Sequence, residues 1–395
     1  MFKRSYRKNI GLMAGVEFFA FLGITSFWIL FLSQNGMSLW QIGLLESIFH
    51  ATSVICEIPS GMLADRFSYK TNLYLSRIAG IVSSVLMLAG QGNFWVYALA
   101  MMISAWSYNF DSGTSAAMVY DSSVEAELKE RYLSISSFMS GVAEATRSLG
   151  TVWAGFFVHG QLHLTYYIMI GTSIIVLFLT WMLKEPSVKA EKAERLTMKK
   201  IIWAVKEELQ RNPSLFIWMI LSQIIGTLMC MFYFYYQNQL SDLKAWQISA
   251  VMLIGSALNI LAVYLASMIG KKYSALKLFP LLVLLTGASY LLSYFGTPFI
   301  YILIYLISNA LYALFQPIFD NDLQKQLPSE VRATMLSVYS MMFSLSMIVI
   351  FPLTGWLIDN LGFDWTFITL GGFLLAATPF LHMGLKKISQ NLQEV

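Results

Sequence analysis

The sequence predicts an all-α protein that crosses a membrane about twelve times, and three observations carry that expectation. The first is composition: 57% of the 395 residues are hydrophobic and 12% are charged, with a mean hydropathy of +0.62. A water-soluble domain carries about 25% charged residues, so this chain has too little charge to cover a wetted surface. The second is the length of the apolar runs. Residues 81–90, 167–183 and 278–295 contain no Asp, Glu, Lys or Arg and lie within longer apolar stretches. A helix rises ~1.5 Å per residue, so about 20 mainly apolar residues cross ~30 Å of hydrocarbon. The third is the alternation of Lys and Arg between successive loops.

The first element follows from the start, MFKRSYRKNIGLMAG, which places Lys3, Arg4, Arg7 and Lys8 before the first apolar run. That run is longer than a signal h-region and lacks a small-residue cleavage site, so it reads as the first span rather than a cleaved leader. Apolar runs and breakers then place spans at about 10–32, 40–63, 71–90, 94–118, 133–157 and 165–183. After a polar segment they continue at about 213–236, 247–269, 277–295, 298–319, 333–357 and 365–384.

Between these spans, one side of the membrane receives the four N-terminal charges, Arg66, Lys70, Lys129, Arg131, the basic residues of the polar segment, Lys271, Lys272, Lys277, Lys325, Arg332, Lys386 and Lys387. The other side receives Lys244 alone, while Arg77 and Arg147 fall inside spans. Positive charge is retained in the cytoplasm, so both termini are expected there.

The polar segment, 184–212, divides the chain into six-helix units at 1–183 and 213–395. Its second part, MKKIIWAVKEELQ from Met198 to Gln210, puts Ile201, Ile202, Val205 and Leu209 on one side of a helix. That pattern suits a helix lying on the membrane surface, and equally a solvated linker helix. Cys56 and Cys230 both fall in spans, which excludes a disulfide framework, and the net charge of +4 reflects membrane anchoring rather than nucleic-acid binding.

The two units share a signature. Tyr120-Asp121-Ser122 ends the fourth span, with Arg131 and Ser136 opening the fifth; Phe319-Asp320-Asn321 ends the tenth, with Arg332 and Ser337 opening the eleventh. After the second span stands Gly61-Met62-Leu63-Ala64-Asp65-Arg66-Phe67-Ser68-Tyr69-Lys70. This stretch resembles G-x-x-x-D-R-x-G-R-[R/K], the signature loop of the major facilitator superfamily, at the place that family puts it.

The resemblance covers the whole chain and implies the family's fold: two pseudo-symmetric bundles of six helices. It implies a conformational lock built from Gly61, Asp65, Arg66, Lys70 and Asp121. Gly61 permits close helix approach, Asp65 sits against a helix N-terminus, and Arg66 or Lys70 pairs with Asp121. Ser68 and Tyr69 depart from the pattern, standing where the family has Gly and Arg.

Ionisable groups inside a bilayer are costly and mark function. Here they concentrate in the first unit: Glu17, Glu46, His50, Glu57, Asp111, Glu144 and Arg147 are the candidates for proton coupling. Glu46, His50, Ser53, Glu57 and Gly61 recur at helical spacing and form one stripe. Glu46 near headgroups and a packed His50 would fit the same spacing. Glu144 and Arg147, three residues apart, also fit a purely structural pair.

Phe21, Thr25 and Trp28 share the first span with Glu17. The second unit offers Gln223, Tyr233, Tyr236, Asn259, Asn309, Tyr312, Gln316 and Tyr339 as cavity candidates, each of which packing would also explain. Acids facing aromatic surface suit cationic or amphiphilic solutes.

No G-x-x-x-x-G-K-[ST], no G-x-S-x-G and no Cys/His metal spacing occurs, so the sequence indicates neither an ATPase, nor an enzyme, nor a metal or cofactor site. The expectation is a monomeric secondary transporter in a bacterial cytoplasmic membrane, moving a small-molecule solute against protons. The resemblance points to the drug-efflux branch. The fourth span lacks that branch's Arg, and the fifth lacks the Gly-Pro of antiporters. A transporter of one metabolite, in either direction, and a lipid-translocating protein of the same fold are the alternatives; a non-transporting receptor would need a soluble signalling domain.

Overall fold

The structure, a computed structural model, describes residues 5–66, 68–187, 203, 206–207, 209–240, 242–327 and 332–391. The described residues form helices α1 (Tyr6–Ala20), α2 (Trp28–Gln34), α3 (Leu39–Arg66), α4 (Tyr69–Ala89), α5 (Phe94–Asp111), α6 (Thr114–Glu125), α7 (Tyr132–Ala154) and α8 (His163–Met182). They continue with α9 (Pro213–Tyr235), α10 (Ala245–Ile269), α11 (Ala275–Leu291), α12 (Pro298–Gln326), α13 (Arg332–Leu361) and α14 (Phe363–Asn391).

The ends of these helices follow from local sequence. Ser5, Ser68, Asn93, Asn212 and Thr297 each cap the helix that follows, accepting a bond from a first-turn N–H. Pro213 and Pro298 occupy the first turn, where the missing N–H costs nothing. Trp40, Trp95, Trp246 and Trp365 lie exposed in the first turns of α3, α5, α10 and α14. Exposed tryptophans at helix ends are what an interfacial aromatic belt supplies.

Among the described residues ten helical stretches are long and apolar enough to cross a membrane. The predicted fourth and fifth spans fall on α5–α6 and α7, which are not among them. Two spans predicted as continuous are broken. The first, about 10–32, unwinds between Ala20 and Trp28 around a short 3₁₀ turn, Gly23–Thr25. The fourth, about 94–118, breaks at Ser112 and Gly113, where Gly113 adopts φ +77°. That left-handed conformation is open to Gly at no steric cost. The surface helix expected at 198–210 lies mostly outside the described residues; Trp203, Lys206, Glu207, Leu209 and Gln210 are helical and exposed.

The chain divides into two compact units, Met1–Met37 with Ile48–Arg195, and Ser38–Ser47 with Leu196–Val395. The stretch Ser38–Ser47, which includes the start of α3, thus packs with the second unit.

In the first unit, α1, α4, α6, α7 and α8 close on a core of Met13, Val16, Leu73, Met118, Val119, Met139 and Val176. Hydroxyls join α4 to α5. Ser76 Oγ donates to the Ser107 carbonyl and Ser107 Oγ to the Ser76 carbonyl, each at 2.8 Å, and Ser83 Oγ reaches the Ala100 carbonyl at 2.9 Å. Small polar residues of this kind hold helices together where lipid supplies no hydrophobic driving force.

The second unit packs around aromatics. Trp218 meets Phe279, Phe315 and Phe319, while Phe232 meets Tyr290, Phe363 and Phe367. The start of α3 lies against α13 through small residues. A Cβ on Gly43 would stand 2.4 Å from Pro352 Cα, and one on Gly355 2.2 Å from the Leu39 carbonyl oxygen. Asp359 then caps α3, accepting from the Leu39 and Trp40 amides at 3.2 and 2.8 Å.

Candidate functional site

The two breaks meet one cavity. A cleft of about 750 Å³ in the first unit is lined by α1, α4, α5, α6 and α7, with Phe49 of α3. Ending α5 at Asp111 leaves this carboxylate at the cavity wall, and restarting at Thr114 brings Ser115 beside it. Arg77 Nη2 of α4 stands 2.8 Å from Asp111 Oδ2, with the two side chains 8% and 14% exposed. Ser115 Oγ donates to Asp111 Oδ1 at 2.9 Å. Both oxygens of Asp111 are therefore engaged.

Glu17, near the C-terminal end of α1, is 8% exposed and lines the same cavity. It lies within electrostatic reach of Asp111 and Arg77, and its carboxylate accepts no hydrogen bond among the described residues. Phe21, one turn later, carries the Arg147 guanidinium 5.6 Å from its ring centroid. Arg147 Nη1 pairs with Glu144 Oε2 at 3.2 Å on the exposed side of the cavity.

The unwound stretch of the first span is held against α7 by direct backbone packing. A Cβ on Gly23 would stand 2.4 Å from the Arg147 carbonyl oxygen, and one on Gly150 2.4 Å from the Gly23 nitrogen. Ser26 Oγ and Thr151 Oγ1 meet at 2.7 Å beside them. The cavity thus gathers three carboxylates (Glu17, Asp111 and Glu144) and two guanidiniums (Arg77 and Arg147). With Asp111 held by Arg77 and Glu144 by Arg147, the surplus negative charge falls on Glu17. A proton or the charge of a solute can neutralise such an acid, and one excludes the other.

Glu17, Asp111, Glu144, Arg147 and Phe21 are thus brought together, whereas the α3 stripe is not part of this lining. Glu46 packs with the second unit. His50 is buried edge-on to Phe49, with ring centroids 5.3 Å apart. Ser53 exchanges hydrogen bonds with Asn109 at 2.8 and 2.9 Å, and Glu57 is exposed. Thr25 and Trp28 are half-buried and outside the lining.

In the second unit, the Gln223 amide donates to the Tyr339 carbonyl at 3.3 Å, and Tyr339 stacks on Phe319 at 4.8 Å. Tyr236 stacks on Tyr305 at 4.3 Å, with Tyr233 beside Tyr305 at 6.1 Å. Gln316 donates to Asp320 at 3.1 Å, and Tyr312 packs over Gly226. Asn259 and Asn309 are half-buried.

The side chains of Gly61, Asp65 and Arg66 lie outside the described residues. The rest of the signature loop is informative. Tyr69 Oη donates to Asp121 Oδ2 at 2.8 Å, so a residue that departs from the family's pattern, rather than Lys70, holds the acid here. Lys70 Nζ donates to the Trp181 and Leu183 carbonyls at 3.1 and 2.9 Å, at the C-terminal end of α8. Glu185, which sequence reasoning missed, caps α4 by accepting from the Tyr69 and Lys70 amides at 2.7 and 3.1 Å. Asn9 ties α1 to Ser122 at 2.9 Å and to both backbone groups of Lys184.

No curated protein sequence matches the chain. The fold is similar to the crystal structure of the nucleoside transporter NupG (TM-score 0.74, 16% identity, covering 97% of this chain and 99% of that one). It is similar to a POT family transporter in complex with a thioalcohol-conjugated peptide (TM-score 0.73, 17% identity, 96% of each chain). It is also similar to a D-xylose-proton symporter (TM-score 0.68, 14% identity, 95% and 96%). These identities speak to fold alone, and all three are transporters of small solutes. The Major Facilitator Superfamily profile matches residues 10–350, and the chain belongs to that family.

Proposed function

We propose that the chain is a secondary active transporter that crosses the membrane twelve times, with both termini cytoplasmic, and works by alternating access. In this reading, protons entering exchange for a small organic cation leaving the cell, and the N-terminal cavity is where they compete. The observation that carries it is Glu17: a buried acid on the cavity wall, beside an Asp111 that Arg77 already neutralises. Phe21, Tyr108 and Tyr132 supply aromatic surface in the same lining, which suits a cation. One structural relative is a D-xylose-proton symporter.

A second reading has its own support. Ser104, Ser107, Ser112, Ser115, Ser136 and Ser140 also line the cavity, and this density of hydroxyls favours one polar metabolite over a range of amphiphiles. The experiment that separates the two uses the purified chain in proteoliposomes under an imposed pH gradient. Lipophilic cations, sugars, nucleosides and amino acids are added in turn while internal pH is recorded. Proton movement triggered by the cations supports exchange against an organic cation. A response confined to one polar solute replaces it with the metabolite reading, and no response to any compound removes proton coupling.

A further inference from the structure

At the lysine-rich end of the second unit, a cleft of about 590 Å³ opens between α10 and α12. Its chemistry changes along its length. Val263 and Ile318 line the part toward the middle of the two helices; Ser267, Asn321, Lys271 and Lys325 line the part toward their ends. The ends are closely packed at Gly270, where a Cβ would meet the Ile318 side chain at 3.3 Å.

Lys271 and Lys325 are exposed, and among the described residues neither makes a hydrogen bond or an ion pair. The acids of the same stretch of α12 are engaged elsewhere. Asp322 caps α11 by accepting from the Ala275 amide at 2.8 Å, and Asp320 accepts from Gln316 at 3.1 Å. Retention of positive charge on one face accounts for lysines at these helix ends. It does not account for two of them sharing one cleft with an apolar wall.

We infer that this cleft binds an anionic phospholipid of the leaflet that the lysine-rich face meets. The phosphodiester lies between Lys271 and Lys325, with Asn321 as a hydrogen-bonding partner, and an acyl chain runs along Val263 and Pro317. Basic pockets between helices at a membrane face recognise such headgroups, and a charged oxygen strengthens each hydrogen bond it accepts. The apolar wall is what selects a lipid over a free anion. The site is independent of what the N-terminal cavity carries.

The test is native mass spectrometry of the full chain in detergent, titrated with phosphatidylglycerol and, separately, phosphatidylcholine. Preference for phosphatidylglycerol is expected, weakened about tenfold when Lys271→Gln and Lys325→Gln are combined. The pair Lys271→Arg and Lys325→Arg retains binding. So does Lys386→Gln with Lys387→Gln, which removes the same charge from α14. Equal binding of the two lipids, or undiminished phosphatidylglycerol binding by the Lys271→Gln, Lys325→Gln chain, overturns the assignment. Displacement of phosphatidylglycerol by millimolar inorganic phosphate also overturns it, in favour of a free-anion site.

Discussion

Arg77 of α4 holds Asp111, the last residue of α5, at 2.8 Å across the wall of the N-terminal cavity. The pair is nearly enclosed, so its value lies in mutual compensation: removing one partner strands the other's charge. Arg77→Leu is expected to destabilise the chain by about 3–5 kcal/mol, read as a large fall in the thermal unfolding midpoint in detergent. Adding Asp111→Asn to that variant recovers most of the loss. A wild-type midpoint for Arg77→Leu alone would contradict the pair.

The break in the first span depends on backbone packing between Gly23 and Gly150. Gly23→Ala or Gly150→Ala places a methyl 2.4 Å from backbone atoms that cannot retreat, at an expected cost of about 1–3 kcal/mol. Gly141→Ala, on the same α7 but with nothing within 4 Å, is expected to be neutral or stabilising. Thermal unfolding of the three variants side by side checks the contrast.

Asp121 is 1% exposed and, among the described residues, takes a hydrogen bond from Tyr69. Tyr69→Phe keeps the ring and removes that donor, so a loss of about 1.5–3 kcal/mol is expected, the range for a hydrogen bond to a charged group. Unfolding measurements that show no loss would mean the Tyr69 hydroxyl does not hold Asp121.

Asp359 caps the first turn of α3. Asp359→Ala is expected to cost about 1 kcal/mol and to speed amide hydrogen exchange over residues 39–42. Asp359→Asn, which keeps an acceptor, shows a smaller effect. Exchange rates unchanged in the Ala variant would remove the cap from the account.

Much of this architecture was legible because the bilayer as solvent leaves few options. Apolar runs, breakers and the alternation of Lys and Arg locate the spans, and the polar stretch after Leu183 separates the units. Buried acids were legible for the same reason: Glu17 and Asp111 stand out against apolar neighbours. What composition could not supply was pairing. Arg77 and Asp111 are 34 residues apart and meet through the packing of α4 on α5, and no spacing rule reaches that far. Only the backbone shows that Gly113 turns the chain. The α3 stripe was correct in its helical spacing, yet Glu46 packs with the second unit while Glu57 is exposed. Periodicity identifies a face and not what that face meets.

The central claim is that Glu17 couples proton movement to solute movement. It is tested most directly by comparing Glu17→Gln with the unmodified chain in proteoliposomes, for a solute identified by the panel above. Two rates are measured: net uptake driven by a pH gradient, and exchange of labelled for unlabelled solute at equal pH. The account predicts that Glu17→Gln loses gradient-driven uptake and that exchange of a cationic solute weakens with it, because the proton and the solute's charge compete for this one carboxylate. Gradient-driven uptake at the unmodified rate would contradict it.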